Sequence, residues 1–407
     1  MSLDVRLTLT LIFFLFLIAF ILTHKKGRQI HVWKAVPIFY AVMYRTKFGL
    51  MWMNKVGRKY KRFLKYAGYV AIAVGFVGMI LITFFLVKGV IPLIFEPDAP
   101  VGAGLVLPVK GSGVFEDVVF FVPIEFWIIS IFIIALVHEY AHGVLSRTYD
   151  IKVKSSGFAF LGIIVPIIPA AFVEPEEKIL KKRPVRQQLS VFAAGPMANI
   201  VLAVLCGLIL VFALTPLSSK MIEANGVTIT NFVEGDFPAK NAGMKVNEVI
   251  KEINGIKTPY LDNLSYELAR VNPGNPIRLT TDKGTYKIKT VKNPENSSKA
   301  YLGIYLAQSS EIKSGVIDKY GSFFPNALIW LIQLFLFLFI LNLGIGLFNL
   351  LPMGPLDGGR MLHITLLKYF KKEKAMKIFT NVSIFLLFVV LLTIFVPIIK
   401  NIISNIA

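Results

Sequence analysis

Six apolar runs, at 7–22, 67–95, 118–145, 189–214, 327–350 and 378–403, constrain this chain more than any other feature. A helix needs about 20 apolar residues to cross a bilayer. All but the first run meet that length comfortably. With 55% hydrophobic and 17% charged residues over 407 positions, the chain is neither disordered nor an ordinary soluble domain. The expected fold is a polytopic α-helical membrane protein of about six spans. The first run reads as a signal peptide or an uncleaved anchor. No small-residue cleavage site follows it, and Lys25, Lys26 and Arg28 come directly after, which suits an anchor with its N-terminus outside. The single Cys rules out a disulfide framework and a Cys-rich metal site.

The charge shows how the spans face. Lys and Arg outnumber Asp and Glu by 44 to 24, a net charge of +20. Taken alone, that balance suggests nucleic acid. Its distribution argues instead for basic loops on the cytoplasmic side of a membrane. Residues 23–66 carry twelve Lys and Arg and no acid, and 147–186 and 368–377 are also basic. Residues 96–117 hold Glu96, Asp98, Glu116 and Asp117 against Lys110 alone. Six alternating spans satisfy these four assignments with both termini outside. No nucleic-acid partner is expected, and the lipid bilayer is. Trp33, Phe39, Tyr40, Tyr44, Phe48 and Trp52, interleaved with the first basic stretch, suggest a segment lying in the headgroup interface.

Residues 215–320 break the membrane pattern. The alternating run Val249-Ile250-Lys251-Glu252-Ile253 ends at Asn254-Gly255, a strand followed by a turn. Leu264, Leu268 and Val271 have helical spacing, and Pro273-Gly274 and Lys283-Gly284 mark turns. This segment is expected to be an α+β domain of about 100 residues, an ordinary domain size. It is inserted between the fourth and fifth spans, on the outer side.

The third span contains His138-Glu139-Tyr140-Ala141-His142. Two His four apart share one helix face and can hold one metal, and the Glu between them can act as general base toward a water that the metal activates. The bland alternative is a set of core polar residues with no shared task. Ionisable groups inside an apolar helix are costly unless paired or liganded, which favours the metal. A catalytic zinc takes three protein ligands. His24, His31 and His363 are poorly placed. Asp357, in Leu350-Leu351-Pro352-Met353-Gly354-Pro355-Leu356-Asp357-Gly358-Gly359, is better. The Pro and Gly residues turn the chain and could aim its carboxylate into the bundle; otherwise Asp357 is a helix cap. By the alternation of spans, His138, His142 and Asp357 all fall in the cytoplasmic half.

With these motifs in place, the sequence resembles the site-2 proteases, the intramembrane zinc metalloproteases. The likeness rests on His138 to His142, on Ala194-Gly195-Pro196-Met197-Ala198-Asn199, and on the run from Asn349 through Pro352 to Leu356-Asp357-Gly358-Gly359. It covers about 118 to 403. The insert resembles a PDZ domain through Phe237-Pro238-Ala239, Ala242-Gly243-Met244 and Asn247 to Gly255. The resemblance implies one zinc per chain held by His138, His142 and Asp357, with Glu139 activating the water and Asn349 steadying the scissile carbonyl or its oxyanion. The implied organisation is 1–117, an N-terminal membrane region with a basic cytoplasmic loop; 118–214, the first half of the protease core; 215–320, the PDZ-like domain; and 321–407, the second half. Substrates would be single-span membrane proteins, cut within or near the span at the cytoplasmic side of the cell membrane.

Several positions stay open at this stage. Asn199 could contact substrate or belong to a packing turn, as could Gly195. The broken apolar run 155–169, which includes Gly162, could offer a strand edge to an unwound substrate or be a hairpin that only packs. Tyr301-Leu302-Gly303-Ile304 resembles a turn that binds a peptide C-terminal carboxylate, in permuted order, or is a closing strand. Cys206 reads as an apolar filler. Another reading of the whole chain is a zinc-binding membrane scaffold or transporter whose PDZ-like domain gathers partners.

Overall fold

The computed structural model describes residues 49–96, 119–162, 168–233, 235–294 and 296–406, together with 29–36, 39–46, 104–108 and scattered positions before 20. The first apolar run lies only partly within these residues, and 163–167 lies outside them. The chain forms two compact units, Met1–Phe212 with Trp330–Ala407, and Ala213–Ile329.

The helices used below are α1 (Leu50–Lys59), α2 (Lys61–Phe95), α3 (Ile124–Thr148), α4 (Val185–Ile209), α5 (Leu261–Ala269), α6 (Phe323–Phe348), α7 (Asp357–Tyr369) and α8 (Lys372–Ile406). The strands are β1 (Gln29–Val36), β2 (Phe39–Thr46), β3 (Val153–Gly162), β4 (Ile168–Pro175), β5 (Ile222–Phe232), β6 (Val249–Ile253), β7 (Pro276–Thr281), β8 (Thr285–Lys289) and β9 (Ile304–Ile312). Among the described residues, five helices are long and apolar enough to cross a membrane: Lys61–Phe95, Ile124–Thr148, Val185–Met221, Phe323–Phe348 and Lys372–Ile403. The third of these continues α4 through a π-helical turn at Leu210–Leu214.

The first unit is held by close helix contacts and two apolar clusters around the site. Met53, Val144, Leu145, Tyr149, Ile151, Val191 and Ala194 form one, and Ala71, Met79, Leu189, Ala193, Leu350 and Met361 the other. Small residues let the backbones approach, as membrane helices require. Gly68, Ala71, Gly75 and Gly78 are the buried face of α2, and a side chain at Gly75 would meet Met361 of α7 at 2.8 Å. Cys206 is buried in a third cluster with Phe126, Trp127 and Trp330, the filler position expected of it.

The basic stretch 23–66 is organised differently from the expected interfacial segment. Its middle is an antiparallel hairpin, β1 and β2, with Gln29 opposite Arg45 and Val36 opposite Phe39. The hairpin extends a four-stranded sheet of order β1-β2-β3-β4. Tyr40 lies opposite Gly162 and Thr46 opposite Ser156. Alternating β-branched and aromatic residues suit a strand as well as an interface. What the sequence does not show is the pairing partner, β3, more than 100 residues later. The basic residues Lys55, Arg58 and Lys59 then sit on the exposed face of α1, while Met53 and Gly57 are buried.

The second unit is a sheet of order β8-β7-β6-β5-β9 with α5 against it. Alternation puts Val227 and Ile229, Ile250 and Ile253, Ile277 and Leu279 into one core with Leu264 and Leu302. Glu248 is also buried, at 2% exposure. Its carboxylate accepts from Lys245 N–H at 3.1 Å, Thr281 Oγ1 at 3.2 Å and Tyr286 OH at 3.1 Å. Glu248→Ala removes the acceptor of Lys245 N–H and Tyr286 OH, while Thr281 Oγ1 keeps the Gly284 carbonyl at 3.1 Å. A loss of about 2–4 kcal/mol from this unit is expected. It should appear as a lower urea midpoint for proteolysis of 213–329.

Candidate active site

Residues 138 and 142 stand one helical turn apart on α3, so both imidazoles leave the same face. Their Nε2 atoms are 3.1 Å apart. His142 lies six residues from the C-terminal end of α3, about 9 Å at a 1.5 Å rise.

The third group arrives from far along the chain. After α6 the backbone reverses, and Gly358 N–H donates to the Asn349 carbonyl at 2.8 Å. The reversal leaves no room at Gly358, where a Cβ would lie 2.1 Å from the Leu350 carbonyl oxygen. Asp357 is the first residue of α7 and is buried. Its Oδ2 is 3.0 Å from His138 Nε2 and 3.2 Å from His142 Nε2. Among the described residues, His138, His142 and Asp357 are the group of three that can share a metal. Zinc bonds of 2.0–2.1 Å in a tetrahedron put neighbouring ligand atoms roughly 3.3 Å apart. The three separations fit that edge, and the donor set of two imidazoles and a carboxylate is one that zinc takes.

The surrounding residues fix the rings. His142 Nδ1 donates to the Val191 carbonyl at 2.7 Å, leaving Nε2 free to bind. Asn199 is fully buried behind His138, with its carboxamide 3.1 Å from Nδ1 at the nitrogen end. With His138 Nε2 in the cluster, Nδ1 carries the proton and needs an acceptor. Asn199 Oδ1 has no hydrogen-bond partner in the described structure. Turning the carboxamide over supplies that acceptor. In this structure Asn199 therefore stands against the imidazole of His138. Asn199→Ala is expected to weaken zinc binding by about 10–100-fold. Zinc retention against a graded chelator measures this. Gly195 has a plain steric cause: a Cβ there would lie 2.4 Å from His142 Nε2 and 2.6 Å from His138 Nε2.

Glu139 is half-buried, one residue from His138, and its Oε2 accepts the Val173 N–H of β4 at 2.9 Å. β4 is an outer strand of its sheet, so this amide points away from β3. Beside Glu139 lies a small apolar pocket lined by Leu136, Tyr140, Phe158, Phe172 and Val173, with Met53 from α1. Sequence reasoning missed Met53, Val173 and Val191. The first two had no motif, and Val191 acts through its backbone.

Other expected residues stand elsewhere. The Asn349 carboxamide donates to the Ile345 carbonyl at 3.0 Å, back along its own helix. Gly162 is the last residue of β3, an inner strand of its sheet, and lies opposite Tyr40 of β2. The N-terminal hairpin covers that side, and the edge beside Glu139 belongs to β4. Tyr301 and Gly303 lie in the second unit. Tyr301 pairs with Val291, and Gly303, at φ +73°, has the Phe237 ring packed where a Cβ would sit.

A profile of Peptidase family M50 matches residues 126–390, well over half of the chain. The chain belongs to peptidase family M50. This M50 peptidase is thus a zinc-dependent intramembrane metalloprotease of the site-2 protease type, and the scaffold or transporter reading is not favoured. It is 29% identical over 321 residues to an uncharacterised protein of Methanocaldococcus jannaschii, covering 77% of this chain and 74% of that one. It is 24% identical over 219 residues to a Clostridium acetobutylicum protein whose name assigns it to the zinc metalloproteases, covering 48% of this chain and 61% of that one. A Lactococcus lactis protein with the same assignment is 24% identical over 206 residues, covering 41% and 46%. Among solved structures, the PDZ domain of an SdrC-like protein from Listeria monocytogenes is 19% identical and covers 20% of this chain and 88% of that one at a TM-score of 0.18.

Proposed function

We propose that this peptidase cuts single-span membrane proteins within or near the span, with His138, His142 and Asp357 holding the zinc and Glu139 as the general base. The observation that carries the reading is the convergence of those three ligand atoms within 4.8 Å, beside Glu139, with both imidazoles on a helix of membrane-spanning character and the carboxylate at the start of the shorter α7. When bound, zinc supplies Lewis-acid polarisation of the carbonyl and lowers the pKa of water. Glu139 takes the water's proton and returns it to the leaving amine. The β4 edge is the place for the substrate backbone. A span must unwind before its carbonyls are exposed, and an unwound segment can add to a free strand edge. The Val173 amide, engaged by Glu139 in the free enzyme, is the donor such a segment would meet. The apolar pocket beside it suits a hydrophobic side chain next to the scissile bond. Asn349 is retained as the residue that would steady the oxyanion, which requires its carboxamide to leave Ile345.

The basic loops support a cytoplasmic location for the site and an outer location for the insert. We read four parts in the chain: 1–117, 118–214, 215–320 and 321–407. The N-terminal part, through the β1–β2 hairpin and Met53, supports the cleft of the protease core. The insert as a PDZ-like module is supported by its outer strand β9 and by α5, whose first amide, at Leu261, donates to Gln308 of β9 at 3.0 Å. Peptide C-termini are its proposed ligands, with the turn Tyr301–Gly303 as the place for the carboxylate.

The test is a panel of purified substrates with one span, several spans or none, assayed with reconstituted enzyme before and after chelation. Cleavage limited to single-span substrates, lost on chelation and restored by zinc, is the expected result. Equal cleavage of soluble chains would overturn the substrate reading.

A further inference from the structure

Between α2, α4 and α7 lies a groove that the chemistry above does not use. It is about 410 Å³, the size of an ordinary small-molecule site. Tyr69, Ile72, Ala73 and Phe76 of α2 form one wall, Val185, Arg186 and Leu189 of α4 the second, and Thr365, Lys368 and Tyr369 of α7 the third. Its polarity is graded. Ile72, Phe76 and Leu189 make an apolar floor that runs inward along α2 and α4. Arg186, in the first turn of α4, and Lys368, in the last turn of α7, stand at the mouth with Thr365.

Both cations are exposed, and neither forms an ion pair with a carboxylate among the described residues. Arg186 lies over the Tyr69 ring at 5.5 Å and Lys368 over the Tyr369 ring at 5.1 Å. These stacks hold the charges at the mouth and leave their outward N–H groups available. The order from mouth to floor, two fixed cations and a hydroxyl above an apolar slot on membrane-spanning helices, matches an anionic headgroup above an acyl chain. Basic pockets between spanning helices on the cytoplasmic side take such lipids. A zwitterion would bring its own ammonium beside two cations, which an anionic lipid does not, and a water-soluble anion would leave the floor empty.

We propose that this groove between α2, α4 and α7 binds one anionic phospholipid, its phosphate between Arg186 and Lys368 and an acyl chain against Ile72, Phe76 and Leu189. The same helix that closes the groove begins at Asp357, so the lipid would brace the element that delivers the third ligand.

The test uses the full-length protein, delipidated in detergent and then offered equal phosphatidylglycerol and phosphatidylcholine, with retained lipid counted by native mass spectrometry. Wild type should keep one phosphatidylglycerol per chain, at least ten-fold over phosphatidylcholine. Arg186→Ala with Lys368→Ala should reduce that ratio to about one. Ala73→Trp, which fills the slot without touching the cations, should abolish retention of both lipids. Zinc content checks that each variant folds. If the double variant does not fold, Lys368→Gln alone should lower the ratio several-fold. Excess glycerol 1-phosphate should not displace the lipid. Equal retention of the two lipids by wild type, undiminished retention by the folded variants, or displacement by glycerol phosphate would each overturn the proposal.

Discussion

Glu139→Gln should leave one zinc per chain and slow cleavage of a single-span substrate by roughly 10²–10⁴-fold, the usual contribution of a general acid–base group. The amide keeps the shape of the carboxylate and can still accept the Val173 N–H through its oxygen. It cannot take a proton from water. Glu139 is outside the cluster of ligand atoms, so metal content should not change. The paired measurement is metal analysis with cleavage rate on the same preparation. Full zinc with wild-type rate would remove Glu139 from the chemistry. Loss of zinc would mean that Glu139 supports the metal instead.

Gly195→Ala should be nearly as damaging, although the residue carries no functional group. An added Cβ would sit 2.4 Å from His142 Nε2 and 2.6 Å from His138 Nε2. A bound metal holds both rings, so they cannot step aside without altering the donor set. The alternative is that α4 moves outward by about 1 Å, and displacements of that size at a reacting centre cost on the order of 10²-fold. Lower zinc affinity and a rate loss of at least that factor are expected, with the helical circular dichroism unchanged. Gly207→Ala is the control. It lies on the same helix, where a Cβ meets only the Phe339 ring, at 3.2 Å. Equal effects of the two variants would show that α4 tolerates no added side chain and that the site has no special part in it.

The parts of the site that could be read along the chain are those set by local geometry. His138, Glu139 and His142 are legible because a helix puts positions four apart on one face. Asp357 was legible as a candidate through the Pro and Gly residues around it. Its meeting with His138 spans 219 positions and depends on the reversal after α6. The supporting residues were harder to see. Val173 and Val191 act through backbone groups, which any residue type supplies. Asn199 was visible as a polar residue in an apolar helix, and only packing shows it against His138.

The strands within 23–66 were not legible in the sequence. Aromatic and basic residues in alternation fit an interfacial segment and a strand equally well. What separates the two is the presence of β3, more than 100 residues later, with an unpaired edge. That same addition makes β3 an inner strand and leaves β4 as the outer strand beside Glu139.

By itself the sequence determined that the chain enters a membrane, where its charges cluster, that a polar domain interrupts the spans, and which helix face carries two imidazoles, with a carboxylate next to the first of them in sequence. Each follows from composition or from the fixed period of one element, which neighbours do not alter. The tertiary structure decided which distant carboxylate completes the donor set, which strand is left with an open edge, and why position 195 must be glycine. These depend on which backbones approach each other, and packing between elements far apart in the chain sets that distance.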